Sequence, residues 1–233
     1  MPQIGVDGAR SRCEGRVMVM TVGVLTPHAT AGPEIELPEL APVRVRLAKT
    51  SDKPVTTADE LRERARPAVL DEAVSVLLSE VDVLAFASTG SGYALGYDAE
   101  CALVDGLRER WGRPFYSTCL STVSALRSRE VERVSVVHPP WFGDELNDLG
   151  AQYFRHQGFE VVDARLADLP DEIQPATVVE WIAQRVSPGA QAIFLGGNGF
   201  RVARAVRPLE RLTGCLVLEA NQVLLQSILQ EER

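Results

Sequence analysis

The chain has 233 residues but only three histidines and four cysteines. Cys13, Cys101, Cys119 and Cys215 lie far apart and form no CxxC pair, which argues against a disulfide framework and against a zinc site. There is no cluster of Lys and Arg, and the formal charge is −8. A nucleic-acid or acidic-membrane surface is therefore not expected, because counterion release needs clustered positive charge. No apolar run is long enough to span a bilayer, and the longest, Val17 to Leu25, reads as a first buried strand. Arg10, Arg12 and Arg16 precede that run without a small-residue cleavage site after it, so no signal peptide is expected and the predicted location is cytoplasmic. Residues 1–16, with Gly5, Gly8, Gly15 and mixed charges, show no period and are predicted to form a flexible tail.

Short Val/Ile/Leu/Ala runs alternate with amphipathic stretches, the pattern of βα units and a parallel sheet covered on both faces. The spacing predicts strands near 17–26, 42–48, 81–88, 113–117, 132–138, 159–163, 190–196 and 214–219. Helices are predicted near 57–79, 97–111, 120–130, 144–157, 175–186, 200–212 and 220–231. Thr57 before Glu60 has capping-box spacing, and Leu61, Ala65, Val69, Ala73 and Leu77 recur with a helical period. From Glu132 onward the order of elements repeats that of the first half. The expected fold is α/β: two similar Rossmann-like subdomains with parallel sheets, related by a pseudo-twofold, with a cleft between them. The first is placed at 17–131, with the C-terminal helix at 220–233 able to join it, and the second at 132–219.

Two junctions share one design. One is Val83-Leu84-Ala85-Phe86-Ala87-Ser88-Thr89-Gly90-Ser91-Gly92 and the other Ala190-Gln191-Ala192-Ile193-Phe194-Leu195-Gly196-Gly197-Asn198-Gly199. Each is an apolar strand ending in small residues ahead of a helix, an arrangement whose outward N–H groups favour an anion. One such ending in each half predicts a carboxylate site between the halves. Ligands of open α/β sheets bind beyond the carboxyl ends of the strands. The candidate positions are therefore Pro27 to Gly32, Ser88 to Gly92, Ser117 to Ser121, His138 to Phe142, Gly196 to Phe200 and Glu219 to Gln222.

Taken together, these strand ends resemble the aspartate/glutamate racemase superfamily, in its branch of maleate cis-trans isomerases and arylmalonate decarboxylases. The resemblance runs from Val19 to Leu229. It is carried by Gly23-Val24-Leu25-Thr26-Pro27, Ser88-Thr89-Gly90-Ser91 and Ser117-Thr118-Cys119-Leu120-Ser121-Thr122 before Ala125-Leu126-Arg127. It continues in Asp144-Glu145-Leu146-Asn147, Gly197-Asn198-Gly199-Phe200-Arg201 and Ala220-Asn221-Gln222. It implies a cofactor-independent enzyme acting on a small carboxylic acid, as an isomerase, racemase or decarboxylase. Members of that group use two opposed cysteines, or one. Here the corresponding positions are Ser88 and Gly197, so both thiols are absent. A tyrosine often found before the Asp-Glu-Leu-Asn segment is replaced by Trp141 or Phe142, and an asparagine of the first loop by Thr30. What the resemblance implies is retained is an anion cradle: Thr89, Gly90, Ser91, Asn198 and Gly199.

Ser88 is a candidate catalytic residue, although a serine without a neighbouring base is a poor substitute for a thiolate; a hydrogen bond to substrate or a helix cap are its other readings. His28 and His138 end equivalent strands of the two halves and are candidate acids or bases titrating near neutrality. His156 complements a helix C-terminus. Thr30, Thr89, Gly90, Ser91, Cys119, Gly197, Asn198 and Gly199 are candidate substrate-binding residues, while Glu34, Glu36 and Glu219 could present a carboxylate. Gly90-Ser91-Gly92-Tyr93-Ala94-Leu95-Gly96 fits a dinucleotide loop poorly, since its third glycine is one residue late. The rival functions are a hydrolase or hydratase using histidine-activated water, and a catalytically silent carboxylate-binding protein. The expected partner is a small carboxylate, with neither metal nor cofactor, and with a homodimer left open.

Overall fold

The computed structural model describes residues 19–27, 31–55, 57–169 and 174–231. The predicted tail, His28 and Thr30 lie outside the described residues. In the first half the elements are β1 (Thr21–Thr26), α1 (Pro33–Leu40), β2 (Arg44–Lys49), α2 (Ala58–Arg64), α3 (Pro67–Leu77), β3 (Val83–Phe86), α4 (Thr89–Leu95), α5 (Tyr97–Trp111), β4 (Phe115–Ser117) and α6 (Thr118–Arg127). The second half has β5 (Arg133–His138), α7 (Gly143–His156), β6 (Glu160–Leu166), α8 (Pro175–Ala183), β7 (Ala192–Leu195), α9 (Val206–Thr213), β8 (Leu216–Glu219) and α10 (Ala220–Glu231).

Each half builds a four-stranded, all-parallel sheet, in the orders β2-β1-β3-β4 and β6-β5-β7-β8. Relative to chain order the two arrangements are the same, so the repeat expected from the element order is a repeat of topology. Strands β1, β3 and β7 are buried along their whole length because helices cover both faces. Leu25, Leu84 and Phe86 pack on one side of the first sheet with Leu70, Val74 and Leu107, while Val22, Val24, Val83 and Ala85 pack on the other with Leu224, Leu225 and Ile228 of α10. The C-terminal helix thus lies on the first sheet. Another cluster joins the halves: Leu61, Tyr93, Cys119 and Val123 meet Phe142, Leu146, Phe154 and Phe194. Among the described residues no helix is long and apolar enough to cross a membrane.

Four expectations for the helices are corrected, the first being the helix predicted over 200–212: α9 begins only at Val206, after a short helical turn at Ala203–Ala205, so Gly196–Gly199 does not run directly into a helix. The stretch predicted as one helix over 57–79 is two, with the Thr57–Glu60 capping box starting α2 as expected. The break falls at Arg66, which is extended because Pro67 follows it and crowds the helical conformation. Residues 33–40, read as loop, form α1, with Pro33 in its first turn, where a missing N–H costs nothing. Residues 89–95 also form a short helix, α4, so the Gly-Ser-Gly sequence is helical rather than a nucleotide-binding loop.

Candidate functional site

Ser88 lies two residues beyond β3 and caps α4: its hydroxyl accepts from the backbone nitrogen of Ser91 at 3.2 Å and donates to the Ser91 hydroxyl at 2.7 Å. The next residue, Thr89, reaches across to the other half. Its backbone N–H and its hydroxyl both donate to Asn198 Oδ1, each at 3.0 Å, and the hydroxyl accepts from the backbone nitrogen of Gly197 at 3.0 Å. Thr118, at the start of α6, also directs its hydroxyl at Asn198 Oδ1, at 3.2 Å. Three donors from the first half therefore converge on one oxygen of the second. Ser88, Thr89, Ser91, Thr118, Asn198 and Asn221 are all buried.

The other end of the Asn198 amide is equally engaged. Its Nδ2 donates to Asn221 Oδ1 at 2.8 Å and to Thr118 Oγ1 at 3.1 Å. Asn221 Nδ2 in turn donates to the Asn198 carbonyl at 2.9 Å and to Glu36 Oε2 at 2.7 Å, and Glu36 Oε1 accepts from Ala203 N at 3.0 Å. Glu36, expected as a loop base, is thus a buried tie between α1, α10 and the segment after β7. Burial pushes its carboxyl above the ordinary carboxylate range, against the lowering effect of the Asn221 and Ala203 bonds. Glu219 is wholly buried and accepts from Asn221 N and Gln222 N, the first-turn donors of α10. Burial, then the charge of Glu36, drives its pKa well up. Glu34 accepts from Gly32 N in the first turn of α1.

Gly197 has φ +95°, and a Cβ there would stand 2.8 Å from Pro139 Cγ and 2.9 Å from Pro139 Cδ. No cysteine fits that position without rearrangement; the Pro139 ring fills the space a side chain would use. Gly32 is equally constrained, because its Cβ would lie 2.3 Å from the Asn198 carbonyl oxygen. Gly90 faces the apolar side chains of Leu61, Leu146 and Phe142.

His138 is a core residue with no solvent exposure. Its Nδ1 lies 2.9 Å from Asn147 Oδ1 and its Nε2 3.1 Å from the Tyr93 hydroxyl, while Phe142 stacks on the ring at 5.2 Å between centroids. Burial lowers its pKa to about 4, only partly offset by the Asn147 bond. The expectation of a cleft histidine titrating near neutrality is therefore corrected at this position. Phe142, one of the two candidates for the missing tyrosine, is buried, and Trp141 is exposed with its edge on Phe200. Cys119 is buried with its thiol on the Thr89 carbonyl at 3.4 Å, and burial, then Glu100, pushes the thiol well up, away from thiolate chemistry. Cys101 and Cys215 are half-buried free thiols, and His156 lies exposed in the last turn of α7.

The sequence reading missed Glu100. It is buried in α5, bonded to the Tyr153 hydroxyl at 2.6 Å, and burial raises its pKa to about 7. A signal for it existed: Glu100, Leu103, Val104 and Leu107 share a helical face, an acid on an otherwise apolar stripe.

The sequence model of one protein family, arylmalonate decarboxylase, matches residues 58–226. No curated protein matches the chain. Among solved structures, the maleate isomerase Iso from Pseudomonas putida S16 superposes with TM-score 0.79 at 22% identity, covering 92% of this chain and 93% of its own. An arylmalonate decarboxylase superposes with TM-score 0.74 at 18% identity over 90% of this chain and 91% of its own. The Nocardia farcinica maleate cis-trans isomerase carrying a covalently bound succinylcysteine intermediate superposes with TM-score 0.76 at 19% identity, over 92% of this chain and 93% of its own.

Proposed function

The chain belongs to the arylmalonate decarboxylase family, and we propose that it decarboxylates a small malonate-type dicarboxylic acid through an enediolate held by its own hydroxyl and backbone donors. The observation that carries this is the convergence of Thr89 N, Thr89 Oγ1 and Thr118 Oγ1 on the single oxygen Asn198 Oδ1. Donors fixed in advance around one oxygen stabilise charge that develops there during reaction. A substrate carboxylate oxygen takes the place of the Asn198 amide oxygen. Asn198, expected to bind substrate, is then the internal occupant of the place, and the amide turns aside as substrate enters.

The choice of decarboxylation follows from what the site lacks. Racemisation and cis-trans isomerisation each begin with a base or a nucleophile acting on carbon, and one relative carries its intermediate on a cysteine. This chain has Ser88 at the first thiol position and Gly197 at the second, with Pro139 filling the space beside it. Decarboxylation needs no base to make its carbanion. The C–C bond to the departing carboxylate breaks, its electron pair passes into the remaining carboxyl group as an enediolate, and CO2 leaves. A proton then forms the new C–H bond. The Ser88–Ser91 hydroxyl pair supplies that proton and regains one from water. Leu61, Leu146 and Phe142 beside Gly90 give the departing carboxylate an apolar wall, where desolvation favours neutral CO2.

In this proposal the halves act as subdomains, 17–131 and 132–219, with α10 joined to the first through Leu224, Leu225 and Ile228. Gly90, Ser91, Gly197 and Gly199 shape the site, and Cys119 supports Thr89 from behind. Of the two histidines that the hydratase alternative would use, burial argues against His138, and His28 lies outside the described residues. The test is CO2 release from phenylmalonate by the purified chain, with Thr89→Val as control. Release by the wild type that falls at least tenfold in the variant supports the proposal, the loss typical of removing one oxyanion donor being on the order of a hundredfold. Absence of release from any substituted malonate overturns it.

A further inference from the structure

Behind the Gly196–Gly197 turn, His138 and Tyr93 meet at the boundary between the halves. Asn147 Nδ2 donates to the Ala164 carbonyl at 3.3 Å, which turns the amide oxygen of Asn147 toward His138. Asn147 Oδ1 can only accept, so the proton of the neutral imidazole sits on Nδ1, and Nε2 offers a lone pair to the Tyr93 hydroxyl. The pair is seated by two glycines. A Cβ at Gly150 would lie 2.6 Å from His138 Cε1 and 2.7 Å from Tyr93 Cε2, and one at Gly196 would lie 2.9 Å from His138 Cδ2 and 3.3 Å from the Tyr93 hydroxyl. Phe142, stacked on the imidazole, also flanks the Cβ positions of Gly197 and Gly90.

Tyr93 lies one helical turn after Thr89 in α4, so the face of α4 that sends Thr89 to Asn198 also sends the Tyr93 hydroxyl to His138. We propose that His138 and Tyr93 are positioning residues that hold the Gly196–Gly197 turn at a fixed separation from the helix bearing Thr89. The imidazole touches the turn directly, and its hydrogen bond to Tyr93 ties the turn to the opposite half. The role is mechanical: a neutral ring, bonded at both nitrogens, sets the gap across which Thr89 and Asn198 meet. Its relevance to catalysis rests on the decarboxylase reading, but the geometry it controls does not.

The test is amide hydrogen exchange of the full chain for Tyr93→Phe, which removes one oxygen. Two cross-half amides report on the gap: Thr89 N–H, bonded to Asn198 Oδ1, and Gly197 N–H, bonded to Thr89 Oγ1. Both are expected to exchange about tenfold faster in the variant, the size of one lost hydrogen bond, while Leu84 N–H, held by the Pro114 carbonyl in the first sheet, keeps its rate. Nitrogen NMR of labelled histidine is expected to show His138 as the Nδ1–H tautomer. An unchanged rate at Thr89 and Gly197, a uniform increase at all three amides, or an Nε2–H tautomer overturns the proposal. In the CO2 assay with phenylmalonate, Tyr93→Phe is expected to lower kcat several-fold with KM unchanged. A wild type that releases no CO2 overturns the decarboxylase reading alone, since the exchange result is read without turnover.

Discussion

Asn198 Oδ1 stands 3.0 Å from the backbone nitrogen of Thr89 and 3.0 Å from its hydroxyl, so two residues 109 positions apart hold one another across the two halves of the molecule. The donors that an anion would use are engaged by the protein's own amide. Asn198 is fixed from behind by Asn221, and Asn221 by Glu36. The bond is therefore both a clasp between the halves and the occupant of the proposed substrate position.

Replacing Asn198 by Ala should act in two directions. Removing the amide leaves the buried Thr89 N–H and its Asn221 partner unsatisfied, costing about 1–3 kcal/mol of stability in urea unfolding. Phenylmalonate, relieved of competition from the amide, should bind at least as tightly as to the wild type by calorimetry. Weaker binding by a folded variant would instead make Asn198 a substrate ligand.

Ser88 and Gly197, the two positions that the resemblance aligns with the family thiols, should respond differently to a cysteine. Ser88 has φ −152°, which any residue adopts, so Ser88→Cys should fold with a loss of about 1 kcal/mol for the weakened cap and expose no new strain. Gly197→Cys places a Cβ against Pro139 at φ +95° and should cost about 1–3 kcal/mol or more. Denaturation midpoints for the two variants decide the matter, and equal stability would show that the turn after β7 adapts readily.

Glu100 should make stability depend on pH. Its carboxyl is raised from an ordinary 4.5 to about 7 by burial, which the Tyr153 and Ser117 hydroxyls and the Leu120 backbone N–H offset only in part. A raised acid stabilises the fold fully below pH 4.5, where both states are protonated, and that contribution is lost as pH rises through about 7. The change is on the order of 3 kcal/mol. Glu36 and Glu219 shift in the same direction, so Glu100→Gln should reduce the slope between pH 5 and 8 rather than abolish it. Melting temperatures across that range would show it, and a slope unchanged in the variant would place the titration elsewhere.

Strands β3 and β7 were legible because parallel strands buried on both faces leave continuous apolar runs, while the edge strands β2 and β6, partly exposed, were marked by their place in the alternation of strands and helices. Helices α1 and α4 were not, since Pro33-Glu34-Ile35-Glu36-Leu37-Pro38 and Thr89-Gly90-Ser91-Gly92 carry the residues that disfavour helices in isolation, and tertiary packing overrides that preference. At the candidate site, the residue types at the strand ends were visible in the sequence. Which of them face each other was not written locally: Thr89 meets Asn198, and the burial of His138 depends on Gly150 and Gly196, twelve and 58 positions away. The family thiols could be seen to be missing from the sequence. That Pro139 crowds the position of Gly197 is a fact of three dimensions.

The most direct measurement of the central claim is NMR of phenylmalonate, and separately of maleate, incubated with the enzyme in deuterated water. A site with an enediolate cradle, and with Ser88 and Gly197 in place of thiols, should release CO2 from phenylmalonate and give phenylacetate carrying one added deuterium, which does not exchange further. Maleate should remain unchanged. Conversion of maleate to its trans isomer, or repeated exchange of the product's α-hydrogens, would reveal a nucleophile or base and contradict the account.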